Sequence, residues 1–398
     1  MPSMPNSATG FPRRPAKQRI DVEAMSDLGY SPGLEGVVAG ASEISRIDLD
    51  RNRLIIRGYD LVDLTTCTFE EVAHLLLCGA LPDSIQLDAF ISQLRADRSL
   101  PGGVIELMRR APGDAHPMAL LRTAVSALGL HDPEAGDNTQ EANLRKSIRL
   151  LAKIPLAVAY GHHLAAGQNP VEARAELDHA ANLLYMISGT EPAPEEAEAM
   201  KVSQILYAEH GYNASAFAAR VTASTLSDLH AAVTTAIGTL AGPLHGGANE
   251  QAMAMLLEIG GPEGAECWVL EALAAKKKIM GFGHREYKYG DSRVPSMAAV
   301  ADRLASRTGE ATWVETAGVV AAVMMREKGI FPNVDFPSAY AYYMMGIPIP
   351  LYTPIFVASR VAGWAAHVME QGEGNRLIRP EHLYTGPEGR KVVPLSER

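Results

Sequence analysis

Five short segments of this chain carry side chains able to move protons or grip anions. Residues 242–250 read GPLHGGANE, with His245 between a Gly-Pro break and two glycines. Glycine has no Cβ, so backbone there can approach a ligand closely. An imidazole held at such a loop or helix start can exchange a proton near neutral pH. A loop histidine chosen for packing fits these residues equally well. Residues 279–293 read IMGFGHREYKYGDSR, in which His284 follows a Gly-x-Gly turn and Arg285, Lys288 and Arg293 gather after it. The stretch is no phosphate loop, which ends in Lys-Ser or Lys-Thr. Nor is it a dinucleotide fingerprint, because the preceding strand and third glycine are missing. It has the character of an anion-receiving loop, and a solvated basic turn is the plain alternative.

Residues 206–215 read LYAEHGYNAS. His210 near a helix C-terminus is favoured as a cation, and Asn213 can cap the next helix; capping alone would explain this segment. In NVDFPS at 333–338, Asp335 lies between Val334 and Phe336. Partial burial would raise its pKa and strengthen it as a base, whereas a turn aspartate bonding its own backbone needs no such role. Arg360, Gly363, Trp364 and His367 share one helical face, and an arginine on an otherwise apolar face wants an anionic partner. A salt-bridge set at a surface or between subunits is the alternative. No His-Glu-x-x-His pattern and no paired cysteines suggest a metal, and no Gly-x-Ser-x-Gly elbow suggests an α/β-hydrolase.

The elements that must position these groups are mostly helical. Strand signals are confined to 35–58, where Ile44, Ile47, Leu54, Ile55 and Ile56 flank the turn-forming 48–52 stretch; Val37 and Val38 belong to the same apolar pattern. Thr68 with Glu71 forms a capping-box signature, stopped by Gly79 and Pro82. Pro117 opens a helix that Gly129 can end. Pro155 should kink or split a helix over 143–164. Further helices are expected over 172–187, 195–209, one or two between 215 and 240, one after Gly247, and over 296–307, 312–328 and 355–369. Residues 279–295 and 330–338 read as loops, and the last 29 residues as an extended polar arm. Residues 1 to about 30 read as a mobile tail.

The chain has 398 residues, 47% hydrophobic and 21% charged, which is enough apolar material for a large core and argues against global disorder. Its net charge of −10 disfavours non-specific binding to nucleic acid or an anionic membrane. No apolar run is long enough for a transmembrane helix, and the basic N-terminal stretch lacks the apolar core of a signal peptide. Three widely spaced cysteines suit a reducing, cytoplasmic compartment.

Taken together, GPLHGGANE, KKKIMGFGHREYK (276–288), NVDFPSA (333–339), TPIFVASRVAGWAAH (353–367) and NRLIRP (375–380) resemble the citrate synthase family, including 2-methylcitrate synthases. Support continues upstream through IIRGYDLVDL (55–64), FEEVAHLLLCGALP (69–82) and HPMALLRTAVSALG (116–129). The motifs stand in family order from about residue 35 onward. The resemblance implies a mainly α fold, with a large helical domain (35–246 and 347–398, including the C-terminal arm), a smaller helical domain (247–346), minor β structure near the N-terminus and a flexible segment over 1–34. It implies an acyltransferase that condenses acetyl-CoA or propionyl-CoA with oxaloacetate and hydrolyses the product thioester.

By the same resemblance the catalytic trio is His245, His284 and Asp335. Asp335 takes the proton next to the thioester, His245 bonds the thioester oxygen, and His284 donates to the ketone. His210, Arg293, Arg360 and Arg379 would hold the oxo acid, with Arg379 supplied by the neighbouring subunit of a homodimer. Met280, Gly281, Phe282 and Gly283 would contact coenzyme A, which acts as a cosubstrate; no metal is implied. The resemblance also implies the simpler dimeric form, because only about 35 residues precede the family pattern. Several positions depart from common family wording. YAE precedes His210 where HAD is common, Ala216 replaces a frequent threonine, Ser292 replaces a proline and is expected to loosen the backbone before Arg293, and Glu381 replaces an arginine. The first group leans toward 2-methylcitrate-type pockets. A same-fold synthase using another acyl-CoA or oxo acid, or a non-catalytic helical interaction protein, are the competing readings.

Overall fold

The computed structural model describes residues 30–287 and 289–397; the expected tail before residue 30, and Lys288, lie outside the described residues. A three-stranded antiparallel sheet comes first, β1 (Ser45–Asp48), β2 (Arg53–Ile56) and β3 (Tyr59–Asp60), with Ser45 opposite Ile56 and Ile56 opposite Tyr59. Asp48 accepts the Arg51 amide and Asn52 takes φ 49°, closing the turn expected over 48–52. Leu54 and Ile56 turn into the core, while Val37 and Val38 lie outside the strands and are exposed.

Helices follow: α1 (Leu61–Leu64), α2 (Phe69–Cys78), α3 (Ser84–Ala96), α4 (Gly102–Arg109), α5 (Pro117–His131), α6 (Gln140–Ala165), α7 (His179–Ser188), α8 (Pro194–Ala208), α9 (Ala214–Ser224) and α10 (Leu229–Leu240). Then come α11 (Ala248–Ile259), α12 (Pro262–Ala274), α13 (Val294–Thr308), α14 (Thr312–Lys328), α15 (Asp335–Met344) and α16 (Tyr352–Glu373). The Thr68–Glu71 box is made in both directions and Gly79 closes α2 in the left-handed region.

Four expectations need correction. Helix α5 runs through Gly129, which lies against His230 where a Cβ would meet the ring; the glycine permits close helix approach and is no stop. Helix α6 runs unbroken through Pro155, so the proline does not split it. Helix α7 starts at His179, because Asp178 caps it and Glu172 instead accepts the Tyr160 hydroxyl. The supposed loop 330–338 is already helical from Asp335: Pro337 falls in the first turn, where its missing N–H leaves no bond unmade.

Helix α16 is buried from Tyr352 through Met369 and is packed by α6, α8, α9 and α10. A near-continuous apolar helix of this kind is a core helix. Helices α11 to α15 pack chiefly on one another, with α13 also against α8. Beyond Gly374 the chain is extended and mostly exposed, tied back where Ser224 accepts the Ile378 amide at 3.0 Å. Among the described residues, no helix is long and apolar enough to cross a membrane.

Candidate active site

The Gly-x-Gly segment is built by pairing with the stretch before α15. The Asn333 amide donates to Gly281 O and the Gly283 amide to Phe331 O, each at 2.9 Å, while Asn333 Nδ2 donates to Gly283 O. Phe282 bridges Pro332 and packs its ring, tilted by 56°, against Phe336 at 4.7 Å between ring centres. Gly281 adopts φ +80°, and a Cβ there would stand 2.8 Å from Phe336 Cβ, so only glycine fits. Met280 is partly buried against the core. This pairing fixes His284 beside the start of α15. His284 Nδ1 accepts the Glu286 and Tyr287 amides at 3.1 and 3.4 Å, which leaves the proton of the neutral ring on Nε2. Burial, then the positive Arg293, pulls its pKa down to about 4.

Asp335 is the first residue of α15. Tyr207, at the end of α8, donates its hydroxyl to Asp335 Oδ1 at 2.7 Å. Burial pushes the Asp335 carboxyl up to about 6, against the opposing pull of the Tyr207 bond, Arg293 and Arg360. The Tyr207 carbonyl accepts Arg360 Nε, so one tyrosine touches both the acid and the arginine.

The two arginines are buried in different ways. Arg293 forks onto Asp291 at 2.9 and 2.7 Å, and Asp291 also accepts the Val334 amide at 3.0 Å. That pairing holds Asp291 below the ordinary carboxylate range despite burial, and holds Arg293 above its ordinary value. Ser292, expected to loosen this backbone, sits 3.2 Å from the Tyr287 hydroxyl in a segment pinned on both sides. Arg360 is 1% exposed and forms no direct ion pair with any described residue, although the Glu209 carboxylate acts on it at longer range. Burial lowers its pKa to about 10, against the raising influence of Glu209. His210 is buried with its ring 5.0 Å from that of His284, and its Nε2 has no hydrogen-bond partner. Burial, Arg293, His284 and Arg360 together hold it well below the usual imidazole value, so the cation favoured by its helix-end position does not form.

His245 approaches from the turn after α10. The Gly246 amide donates to Leu240 O at 2.9 Å, and a Cβ on Gly246 would collide with Leu240 at 2.6 Å. His245 Nε2 lies 2.9 Å from Ser215 Oγ, which receives Trp364 Nε1 at 3.1 Å and faces Asn213 Oδ1 at 2.7 Å. Burial and Arg360 lower the His245 pKa to about 4.

Six of the seven polar candidates are therefore linked by contacts or by mutual electrostatics: His210, His245, His284, Arg293, Asp335 and Arg360. Arg379 is not among them. It lies exposed on the C-terminal arm and bonds to none of the described residues. Sequence reasoning passed over Tyr207, Ser215 and Asp291. Tyr207 precedes His210 by three residues, Ser215 lies in the first turn of the helix capped by Asn213, and Asp291 precedes Arg293 by two; each spacing was a usable signal. Among the described residues no group of three or more His, Cys, Asp or Glu could hold a metal ion.

Residues 33–381 match the family model described as "Citrate synthase, C-terminal domain". The chain is 48% identical to "Citrate synthase 2" of Bacillus subtilis over 92% of its own length and 98% of that protein's. It is 46% identical to the 2-methylcitrate synthase of Mycobacterium tuberculosis, over 91% of this chain and 92% of that one. Among solved structures it resembles the citrate synthase of Pyrobaculum aerophilum, with a TM-score of 0.87 at 38% identity over 92% of this chain and 95% of that one. The ternary complex of carboxymethyl coenzyme A and oxaloacetate with the citrate synthase of the archaeon Thermoplasma acidophilum gives 0.88 at 31% identity, over 93% and 99%. By motif, fold and overall likeness, this chain belongs to the citrate synthase family.

Proposed function

We propose that this cleft condenses acetyl-CoA or propionyl-CoA with oxaloacetate and then hydrolyses the thioester, giving citrate or 2-methylcitrate and free CoA. The observation that carries the reading is a buried carboxylate tied through Tyr207 to the buried Arg360, with Arg293 and Arg360 also acting on three imidazoles that burial keeps neutral. A thioester α-proton is very weakly acidic, so its removal needs a positioned base together with a donor where charge develops. Asp335 is that base, ionised above about pH 6. The C–H electron pair moves into the enolate, and its oxygen accepts a hydrogen bond from His245. The Ser215 hydroxyl has two acceptors in reach, Asn213 Oδ1 and His245 Nε2. In this geometry that hydroxyl donates to Asn213 Oδ1 and accepts from Trp364 Nε1 and from His245 Nε2; when it turns to donate to Nε2, the His245 proton moves to Nδ1, free for the thioester oxygen. The enolate carbon then attacks the ketone carbon of oxaloacetate while His284 Nε2–H protonates the ketone oxygen. Water finally cleaves the citryl thioester to a carboxylate and the CoA thiol.

Oxaloacetate brings two carboxylates. Arg360 supplies a buried cation with no direct ion pair among the described residues and Arg293 a second, pre-oriented one, both acting on His210, whose Nε2 is open. Residues 280–283 form the coenzyme A side of the cleft, Met280 and Phe282 apolar and Gly281 and Gly283 offering close backbone. We read 247–346 as a small domain closing on the large one (35–246 and 347–398), so that water is excluded before condensation. The exposed Arg379 suits a role across a homodimer, completing the partner's site. The test is thiol release and product mass with oxaloacetate plus acetyl-CoA or propionyl-CoA in turn. Turnover with at least one thioester is expected; no reaction with either would overturn the reading.

A further inference from the structure

Beneath His210 lies a buried polar chain that the mechanism above does not use. Glu209 is fully buried in extended conformation just past α8. Its Oε1 accepts three donors: Ser45 Oγ at 2.9 Å, the Gly211 amide at 2.5 Å and His367 Nε2 at 2.9 Å. Ser45 Oγ, on β1, also accepts the Gly211 amide at 3.0 Å. His367 Nδ1 accepts Arg220 Nε at 2.9 Å, which fixes the ring proton on Nε2, toward Glu209. Arg220 is in turn ion-paired with Glu370, which accepts the Glu43 amide at 2.7 Å. Glu209 Oε2 accepts no bond and lies against Gly363, one helical turn beyond Arg360; a side chain at Gly363 would strike both Oε2 and the Ala208 carbonyl. Burial alone would raise the Glu209 carboxyl, yet His367, Arg360 and Ser45 hold it below its usual value.

We propose that Glu209 is a positioning residue for oxo-acid binding: clamped by His367 and Ser45, its carboxylate fixes the 209–211 turn that aims His210. The inference rests on the reading that this cleft binds oxaloacetate. Glu209 Oε1 is taken up by Ser45, Gly211 and His367, so its loss acts on oxo-acid affinity through His210 and leaves the acyl-CoA contacts alone.

The experiment measures oxaloacetate Kd by calorimetry, and KM for both substrates, on the full chain. Glu209→Ala is expected to weaken oxaloacetate at least tenfold with the acyl-CoA KM within twofold of the parent. Glu209→Gln keeps an acceptor oxygen and is expected to recover most of that loss. Should Glu209→Ala fail to fold, Ser45→Ala removes one strut from outside the cleft and is expected to raise oxaloacetate KM two- to fivefold. Unchanged oxaloacetate affinity in the folded Glu209→Ala protein, or in Ser45→Ala if only that folds, overturns the inference alone; so does an equal rise in both KM values. A parent protein that binds no oxaloacetate overturns the functional reading and this inference with it.

Discussion

Replacing Tyr207 with phenylalanine removes one hydroxyl and leaves the buried ring in place. That hydroxyl donates to Asp335 Oδ1 at 2.7 Å, and a donor favours the ionised acid. Hydrogen bonds to charged groups contribute roughly 1.5–3 kcal/mol, and one pKa unit corresponds to about 1.4 kcal/mol. Starting from about 6, the acid limb of kcat/KM for acyl-CoA should therefore move up by about one to two pH units in Tyr207→Phe. The ionised fraction of Asp335 at pH 7 then falls from about nine-tenths to between about a half and a tenth, a two- to tenfold loss of rate that is recovered near pH 9. The Tyr207 carbonyl still accepts Arg360, so oxaloacetate affinity should hold. The assay is thiol release from pH 5 to 9 at saturating oxaloacetate. An acid limb that stays where the parent's lies, with a rate loss equal at every pH, would refute the idea that Tyr207 governs the ionisation of Asp335.

The same geometry sets four further outcomes. Asp335→Asn should bind oxaloacetate normally by calorimetry and lose about 10²–10⁴ in kcat, the usual contribution of a general base. Arg360→Leu should weaken oxaloacetate by at least about 30-fold, because a desolvated charge pair is lost. Ser215→Ala should lower kcat about 10–100-fold with oxaloacetate affinity intact, as expected when an imidazole loses its orienting partner. Gly281→Ala places a Cβ 2.8 Å from Phe336 Cβ at φ +80°. Denaturant titration should show it destabilised by about 2–4 kcal/mol, with a raised acyl-CoA KM.

Much of this was readable in the residues, and the failures have physical causes. The Thr68–Glu71 box, the turn at 48–52 and the 312–328 helix were legible because capping, turn chemistry and apolar period agree there. Asp83 with Gln86 opens α3 by the same signature and was passed over. Gly129 misled because a glycine that lets two helices touch looks the same in sequence as one that ends a helix. Pro337 misled because proline breaks a helix interior yet is tolerated in its first turn, and that placed Asp335 in a loop when it begins α15. The face of α16 was predicted correctly as to who shares it. What each residue does there was not, because Arg360 meets the Tyr207 carbonyl, Trp364 the Ser215 hydroxyl and His367 the Glu209 carboxylate, all partners some 150 residues away. Long-range partners of that kind leave no local periodic trace.

For the proposed chemistry to run, Asp335, His245, His284 and the buried arginines must converge on one pair of substrates. A crystal structure of the chain with oxaloacetate and carboxymethyl coenzyme A tests that convergence most directly. The oxo acid's carboxylates are expected on Arg293 and Arg360, its ketone oxygen at His284 Nε2, and the carboxymethyl group between Asp335 and His245. Oxaloacetate bound elsewhere, or a carboxymethyl group out of reach of Asp335, would contradict it.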